Sequence, residues 1–173
     1  MARHSKRNLI GFTDIIGASG ISKSDPRIQT NGAIDEASAA LGMARAFITD
    51  KERADVLKKC QADLSRMMGY IASVNTEQTF FEIKDDFFET ELESLESYLF
   101  KLEAETKFPN AFLYPGDNQA EAALNMARTI VRRAEREAVA FFALEGLKQK
   151  AVLQYLNRLS SLCYLFGLSE VEK

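Results

Sequence analysis

The sequence is poor in the residue types that build metal centres and disulfide frameworks. It has one histidine, two cysteines and no tryptophan among 173 residues. A structural zinc site needs clustered Cys and His ligands, and the sequence has no such cluster. Cys60 and Cys163 lie in apolar helical patterns and are expected to be buried free thiols, as in a reducing compartment. We therefore predict no metal site made of protein side chains.

The sequence also lacks an excess of basic charge and any long apolar run. Its 22 basic residues are outnumbered by 25 acidic ones, which gives a net charge of -3. A nucleic-acid interface needs an excess of basic surface. No apolar stretch reaches the length of a membrane span, and the N-terminus has no apolar signal-peptide core. These features predict a cytoplasmic protein that binds neither nucleic acid nor membrane.

Proline is scarce and occurs only at positions 26, 109 and 115. The tract between Pro26 and Pro109 and the tract after Pro115 are long and free of proline. Both can therefore be helical, because proline interrupts helices. Apolar residues recur there every three or four positions, in the pattern of helices that bury one face. Five such series predict an all-α, five-helix bundle. The fourth helix is expected to begin after "YPGDN", where Asp117 or Asn118 can cap it, and to end near Leu144.

The first thirty residues differ in composition from the rest. The segment "GFTDIIGASGISKSDPR" is rich in Gly, Ser and Asp and shows no helical periodicity. We interpret residues 1–30 as a ligand-contacting loop and residues 31–173 as the bundle, within a single domain. No strand is predicted, and "TEQTFFEI" (76–83) is interpreted as a connection.

The segment "ARTIVRRAERE" (127–137) concentrates arginine on a helix that packs. At about 100° per residue, Arg128, Arg132 and Arg136 fall on one narrow stripe, separate from the apolar face. On spacing alone a solvated charged face is favoured. Guanidinium groups also suit phosphate and carboxylate, so a phosphorylated ligand is the alternative. No Walker motif is present.

Three segments together resemble a known family: residues 22–45, "FLYPGDNQAEAALNMARTIVRRAERE" (112–137) and "YLNRLSSLCYLF" (155–166). They are similar to the PduO-type ATP:cob(I)alamin adenosyltransferases. The resemblance implies a five-helix homotrimer with ATP, accompanied by Mg²⁺, bound between subunits. It also implies transfer of the 5′-deoxyadenosyl group to the cobalt of a reduced corrinoid such as cobalamin, with release of triphosphate.

The resemblance implies roles for individual side chains, with residues 1–30 as a nucleotide-binding loop. The residues implied to contact ATP are Lys6, Thr13, Lys23, Arg132, Glu135, Arg136 and Asn157. The residues implied to act at the corrinoid are Asp35, Arg128 and Phe112. Of these, Arg128 would pair with Asp35 across the subunit boundary, and Phe112 would lie against the lower face of the corrin ring.

The N-terminal loop departs from the family pattern "T-[KR]-T-G-D-x-G-x-T". Here Asn8-Leu9 stands in place of Gly-Asp, and Asp14 stands in place of a hydroxyl residue. The alternative functions are therefore a non-catalytic relative that binds corrinoid or nucleotide as a sensor or escort, or a plain helical interaction module. The enzyme is favoured because Asp35, Asn157 and the arginine stripe occur together. A corrinoid reductase and an adenosylcobalamin-dependent client enzyme are the expected partners.

Overall fold

The computed structural model describes residues 10–76, 87–110 and 113–171. Within these ranges, five helices follow a short hairpin, and the expected all-α, five-helix bundle is confirmed. The helices are α1 (Pro26–Phe47), α2 (Lys51–Ser73), α3 (Phe87–Glu105), α4 (Gln119–Leu144) and α5 (Lys150–Val171). Lys6, Phe112 and most of the segment 76–83 lie outside the described residues.

The interpretation of the N-terminal segment as a loop without strands was wrong for its second half. Strands β1 (Phe12–Ile15) and β2 (Ala18–Ser22) form an antiparallel hairpin. The turn contains Gly17 at φ +79°, a left-handed conformation that glycine adopts without a Cβ clash. The sequence gives no clear strand alternation because neither face of the hairpin is fully buried.

Helix α1 begins earlier than the expected boundary at residue 30, which falls inside it. Pro26 occupies the first turn, where its missing N–H leaves no hydrogen bond unmade. The side chain of Asp25 caps the helix by accepting the Arg27 backbone N–H at 2.9 Å. The "DPR" sequence is therefore a helix start rather than part of a loop.

Helix α4 matches its expected bounds. Asn118, rather than Asp117, provides the cap, and its side chain accepts the Glu121 backbone N–H at 2.9 Å. At the other end, Gly146 takes a φ of +67°, and the Leu147 N–H donates to the Phe142 carbonyl at 2.9 Å. A left-handed glycine closed by such a bond ends a helix sharply.

The bundle core is formed where α4 packs on α1 and α5, while α2 packs on α1 and α3 packs on α5. Its fully buried side chains include Ile34, Leu41, Leu124, Leu156 and Phe166. Burying a side chain of this size stabilises a fold by about 1.5–3 kcal/mol. The packing leaves one face of α4 uncovered, and the arginine stripe lies there. None of the helices in the described part of the chain is long and apolar enough to cross a membrane.

Candidate functional site

Two arginines of the stripe line a cavity of about 490 Å³. Arg128 and Arg132 form part of one wall, and the segment that precedes α4 and the C-terminal halves of α3 and α5 form the rest. The apolar part of the lining consists of Phe108, Leu113, Pro115, Leu165, Leu168 and Val171. Ser160, Ser161 and Tyr164 add hydroxyl groups from α5. The volume is in the range of small-molecule sites, and the lining combines apolar surface with a few polar groups.

The side chain of Arg128 is held by a hydrogen-bonded series along α4. Its Nε donates to Asn125 Oδ1 at 3.1 Å, and Asn125 Nδ2 donates to Glu121 Oε1 at 2.5 Å. The second oxygen of Glu121 accepts the Gly116 backbone N–H at 2.7 Å. Glu121 is buried, with 4% of its surface exposed. The series therefore connects the segment before α4 to an arginine in the cavity wall.

A second cavity, of about 560 Å³, lies beside the N-terminal half of α5, and two of the predicted ATP ligands line it. Asn157 Nδ2 donates to Glu135 Oε1 at 3.0 Å, which joins α5 to α4. Lys148, Lys150 and Arg158 add positive charge to the lining. Arg136 is exposed on α4, and its Nη1 donates to the Arg132 carbonyl at 3.0 Å. Of the predicted residues, Arg128 and Arg132 therefore line one cavity, while Glu135 and Asn157 line the other.

The hairpin brings Thr13 and Lys23 to the same end of the N-terminal segment. Thr13 pairs with Ile21 across the strands, and the Lys23 N–H donates to the Gly11 carbonyl at 2.9 Å. The hydroxyls of Ser22 and Ser24 lie 2.8 Å apart beside the exposed Lys23. Asp14, which departs from the family pattern, accepts the Gly20 N–H at 2.9 Å and thus supports the hairpin.

Asp35 and Arg128 do not contact each other within the described part of one chain. Asp35 is exposed on α1, and its neighbour Glu36 forms an ion pair with Arg133. Arg133 comes five residues after Arg128, so this pair lies more than one helical turn from Arg128 along α4. An Asp35–Arg128 pair therefore needs a second copy of the chain.

The cysteines are both buried and free, as expected. Burial raises the pKa of the Cys60 thiol to about 11 and raises the pKa of Cys163 further. Because the thiolate is the reactive form, neither cysteine is a nucleophile at neutral pH. Among the residues that the structure describes, no three His, Cys, Asp or Glu side chains come together in a way that could hold a metal ion.

Sequence reasoning did not identify Glu121, Asn125, Ser160, Ser161 or Tyr164 as cavity residues. A signal for two of them was present, because Glu121, Asn125 and Arg128 are spaced by four and three and share one face of α4. The α5 residues carried no such signal. Their exposure to the cavity depends on how α5 packs.

Comparison with known proteins identifies the family. The family model for cobalamin adenosyltransferase matches residues 10–170. Corrinoid adenosyltransferase of Citrobacter freundii is 31% identical over 163 residues, 94% of this chain and 90% of that protein. Corrinoid adenosyltransferase PduO of Salmonella typhimurium is 29% identical over 171 residues, 98% of this chain but 50% of that protein. The chain thus spans about half the length of the Salmonella relative.

The fold is also similar to that of a solved family member. A variant of the PduO-type ATP:corrinoid adenosyltransferase from Lactobacillus reuteri, complexed with cobalamin and ATP, superposes with a TM-score of 0.77. It is 27% identical, and the match covers 92% of this chain and 88% of that one. The expected family is confirmed. The chain belongs to the cobalamin adenosyltransferase family.

Proposed function

We propose that this protein transfers the 5′-deoxyadenosyl group of ATP to the cobalt of a reduced corrinoid and releases triphosphate. The observation that carries the proposal is the cavity of about 490 Å³, in which Arg128 and Arg132 lie beside apolar side chains and the hydroxyl groups of α5. Such a mixed lining can contact the apolar faces of a large, flat ligand and hold anionic or polar groups with its arginines and hydroxyls. The relatives named above are corrinoid adenosyltransferases, and the similar structure holds cobalamin and ATP.

The chemistry requires positioning and charge stabilisation rather than a general base. The electron pair of the reduced cobalt forms a bond to C5′ of ATP, and the C5′–O bond breaks. The leaving triphosphate takes that bonding pair, so its negative charge grows during the reaction. Fixed cations stabilise such charge most effectively where it develops. We assign this role to Arg132, Arg136, Lys23 and Lys6, together with the Mg²⁺ that accompanies ATP.

The nucleotide is assigned to the region between two copies of the chain. The end of the hairpin, with Thr13, Lys23 and the neighbouring serine hydroxyls, offers hydroxyl and cationic groups for phosphates. The Glu135–Asn157 pair offers both an acceptor and donors for hydroxyl or base groups. A hairpin of one copy that faces the α4 stripe of the next brings these groups to one ligand.

The corrinoid is assigned to the cavity beside Arg128. Phe112 belongs to the segment directly before the cavity residue Leu113. Its apolar ring is assigned to the lower face of the corrin ring, where it excludes water and an axial ligand. A reductase that supplies the electron, a client enzyme that takes the product, the homotrimer and a cytoplasmic location belong to the same proposal.

The test is an anaerobic assay with MgATP and chemically reduced cob(I)alamin that follows the corrinoid absorption spectrum. We expect conversion to the light-sensitive adenosyl form. Arg128→Ala should lower kcat/KM by about 100-fold, the size of the loss when one group that orients or stabilises the transition state is removed. Lys58→Ala, which removes an exposed positive charge from α2, is the matched control and should stay within about twofold of the parent.

Two results would contradict the proposal. One is the absence of conversion by parent protein that is folded and binds corrinoid, which would indicate a binding-only relative. The other is an equal loss of activity in Arg128→Ala and Lys58→Ala, which would reflect net charge rather than a site.

A further inference from the structure

We infer that Glu121 is a positioning residue in the wall of the cavity assigned to the corrinoid. It holds two parts of that wall in place, the segment before α4 and the guanidinium of Arg128. The inference rests on the proposed function. Glu121 itself is not assigned any contact with the reacting atoms. Its role is to fix the direction of Arg128 through the side-chain amide of Asn125.

The geometry places three hydrogen bonds in one series. Glu121 Oε2 accepts the Gly116 N–H at 2.7 Å, and Glu121 Oε1 accepts Asn125 Nδ2 at 2.5 Å. Asn125 Oδ1 then accepts Arg128 Nε at 3.1 Å. All three side chains line the cavity, as do Leu113 and Pro115 of the segment that Gly116 continues. One buried carboxylate is therefore attached both to a loop in the wall and to an arginine in the wall.

The chemical reason for a carboxylate is that it accepts hydrogen bonds and donates none when ionised. Facing Glu121, the Asn125 amide must present its NH₂ group, so its carbonyl oxygen must face Arg128. The amide has no freedom to turn over. An amide that turned over would set its NH₂ group against the Arg128 Nε–H, and two donors do not bond. The carboxylate of Glu121 thus fixes the orientation of the Asn125 amide, and that amide fixes the orientation of Arg128.

This arrangement leaves the terminal nitrogens of Arg128 available. Within the described ranges 10–76, 87–110 and 113–171, no carboxylate forms an ion pair with Arg128, whose Nε is already engaged by Asn125. With Nε held by Asn125, the guanidinium of Arg128 in the cavity wall has a defined orientation. A guanidinium that is free to rotate would lose this preorganisation.

Two single substitutions disturb the series without changing the side-chain size. In Glu121→Gln, the introduced amide can bond only one of its two neighbours correctly, so either the Gly116 or the Arg128 bond is lost. In Asn125→Asp, two carboxylates face each other. We expect each single variant to raise the corrinoid KM by about tenfold, as for one misplaced hydrogen bond to a charged group. The ATP KM should change by less than about twofold.

The double variant Glu121→Gln/Asn125→Asp restores all three bonds and reverses the polarity only of the one between positions 121 and 125. The introduced glutamine oxygen accepts the Gly116 N–H, and its NH₂ donates to the introduced aspartate. The second oxygen of that aspartate accepts Arg128 Nε. Net charge equals that of the parent. We expect the corrinoid KM of the double variant to return to within about twofold of the parent, because orientation rather than residue identity is what matters.

A readout that needs no activity separates this inference from the proposed function. Hydrogen exchange of the Gly116 N–H and the Arg128 Nε–H is followed by NMR in the parent and in all three variants. At least one of the two protons should exchange about tenfold faster in each single variant, and both should return to parental rates in the double variant. A parent chain without transferase activity would overturn the proposed function, while these exchange rates would still decide whether the series exists.

Three outcomes would overturn the inference. The first is unchanged exchange in the single variants. The second is a rise in the ATP KM that equals the rise in the corrinoid KM, which a merely structural role of Glu121 would produce. The third is a double variant whose loss is the product of the two single losses. Thermal unfolding of every variant serves as the control for folding.

Discussion

At the scale of single residues, the buried carboxylate of Asp63 makes stability depend on pH. Asp63 is 1% exposed in the core, where it accepts the Tyr155 hydroxyl at 2.7 Å. Lys59 Nζ lies 3.3 Å and Arg66 Nη1 3.7 Å from its oxygens. Burial raises the pKa of the Asp63 carboxyl above its ordinary value of 3.8, while the Tyr155 hydrogen bond and Lys59 oppose the shift. The net upward shift means that burial costs more than these partners restore.

We predict a pH signature for Asp63→Asn. Because the folded-state pKa is raised, the contribution of Asp63 is fully present below pH 3.8 and is lost as the pH rises through the folded-state pKa. The free energy of unfolding of the parent, relative to the variant, should therefore fall as the pH rises above 3.8. Urea denaturation of parent and variant at a series of pH values from below 3.8 upward measures this difference. Asp55→Asn, at an exposed position, is the control, and a difference that rises with pH would contradict the prediction.

At the scale of elements, helix α4 supplies most of the candidate site. It carries Arg128, Arg132, Glu135 and Arg136 on or beside one stripe, and its opposite face packs on α1 and α5. Two hydrogen bonds of Asn118 hold its first turn. The side-chain oxygen accepts the Glu121 N–H as the helix cap, and the side-chain nitrogen donates to the Glu170 carbonyl of α5 at 2.9 Å. The start of α4 is therefore fixed relative to the end of α5, and the cavity opens between these two helices.

Replacing the cap should destabilise the fold measurably. Asn118→Ala removes the bond to the Glu121 N–H and the bond to α5, so we expect a loss of about 1–2 kcal/mol in the free energy of unfolding. Chemical denaturation gives the value. Asp117→Ala, one residue earlier and exposed, should change stability by less than about 0.5 kcal/mol. Equal losses in the two variants would mean that α4 has no specific cap at Asn118.

At the scale of the whole molecule, the proposed site is incomplete in one chain. Asp35 on α1 and Arg128 on α4 do not contact each other in the described part of the chain. The hairpin residues Thr13 and Lys23 do not line the cavity that contains Arg128 and Arg132. The proposed homotrimer would bring these groups together between copies. A pair that forms only between copies can serve both assembly and chemistry.

Mixing two inactive variants tests this arrangement. Asp35→Ala and Arg128→Ala should each lose most transferase activity, since removing one partner of a buried pair costs about 3–5 kcal/mol. In a mixed trimer, an Arg128→Ala chain still has Asp35, and an Asp35→Ala chain still has Arg128. One of the interfaces between unlike chains therefore contains both native residues. We therefore expect co-refolded mixtures to recover a substantial part of the parental activity, with trimers seen by mass photometry. A monomeric parent, or mixtures no more active than their components, would contradict the shared site.

The sequence by itself determined the helices, their order and the family. Spacing of apolar residues, scarce proline and the glycine after Leu144 are local signals, and the helices follow them within a few residues. The arginine stripe and the motifs around it were also readable, because helical geometry fixes which residues share a face. These properties depend on neighbours within about one turn of the chain, which is the range that a sequence pattern records.

The tertiary structure decided what these elements do together. It paired Phe12–Ile15 with Ala18–Ser22, although the exposed hairpin leaves little hydrophobic alternation to read. It placed Arg128 and Arg132 in one cavity and the Glu135–Asn157 pair in another, because the first is lined by the C-terminal half of α5 and the second by its N-terminal half. It also buried Glu121 against Gly116, which turned an ordinary helical glutamate into an acceptor that orients Asn125. Contacts of this kind depend on packing between elements, and no local pattern encodes their distances or directions.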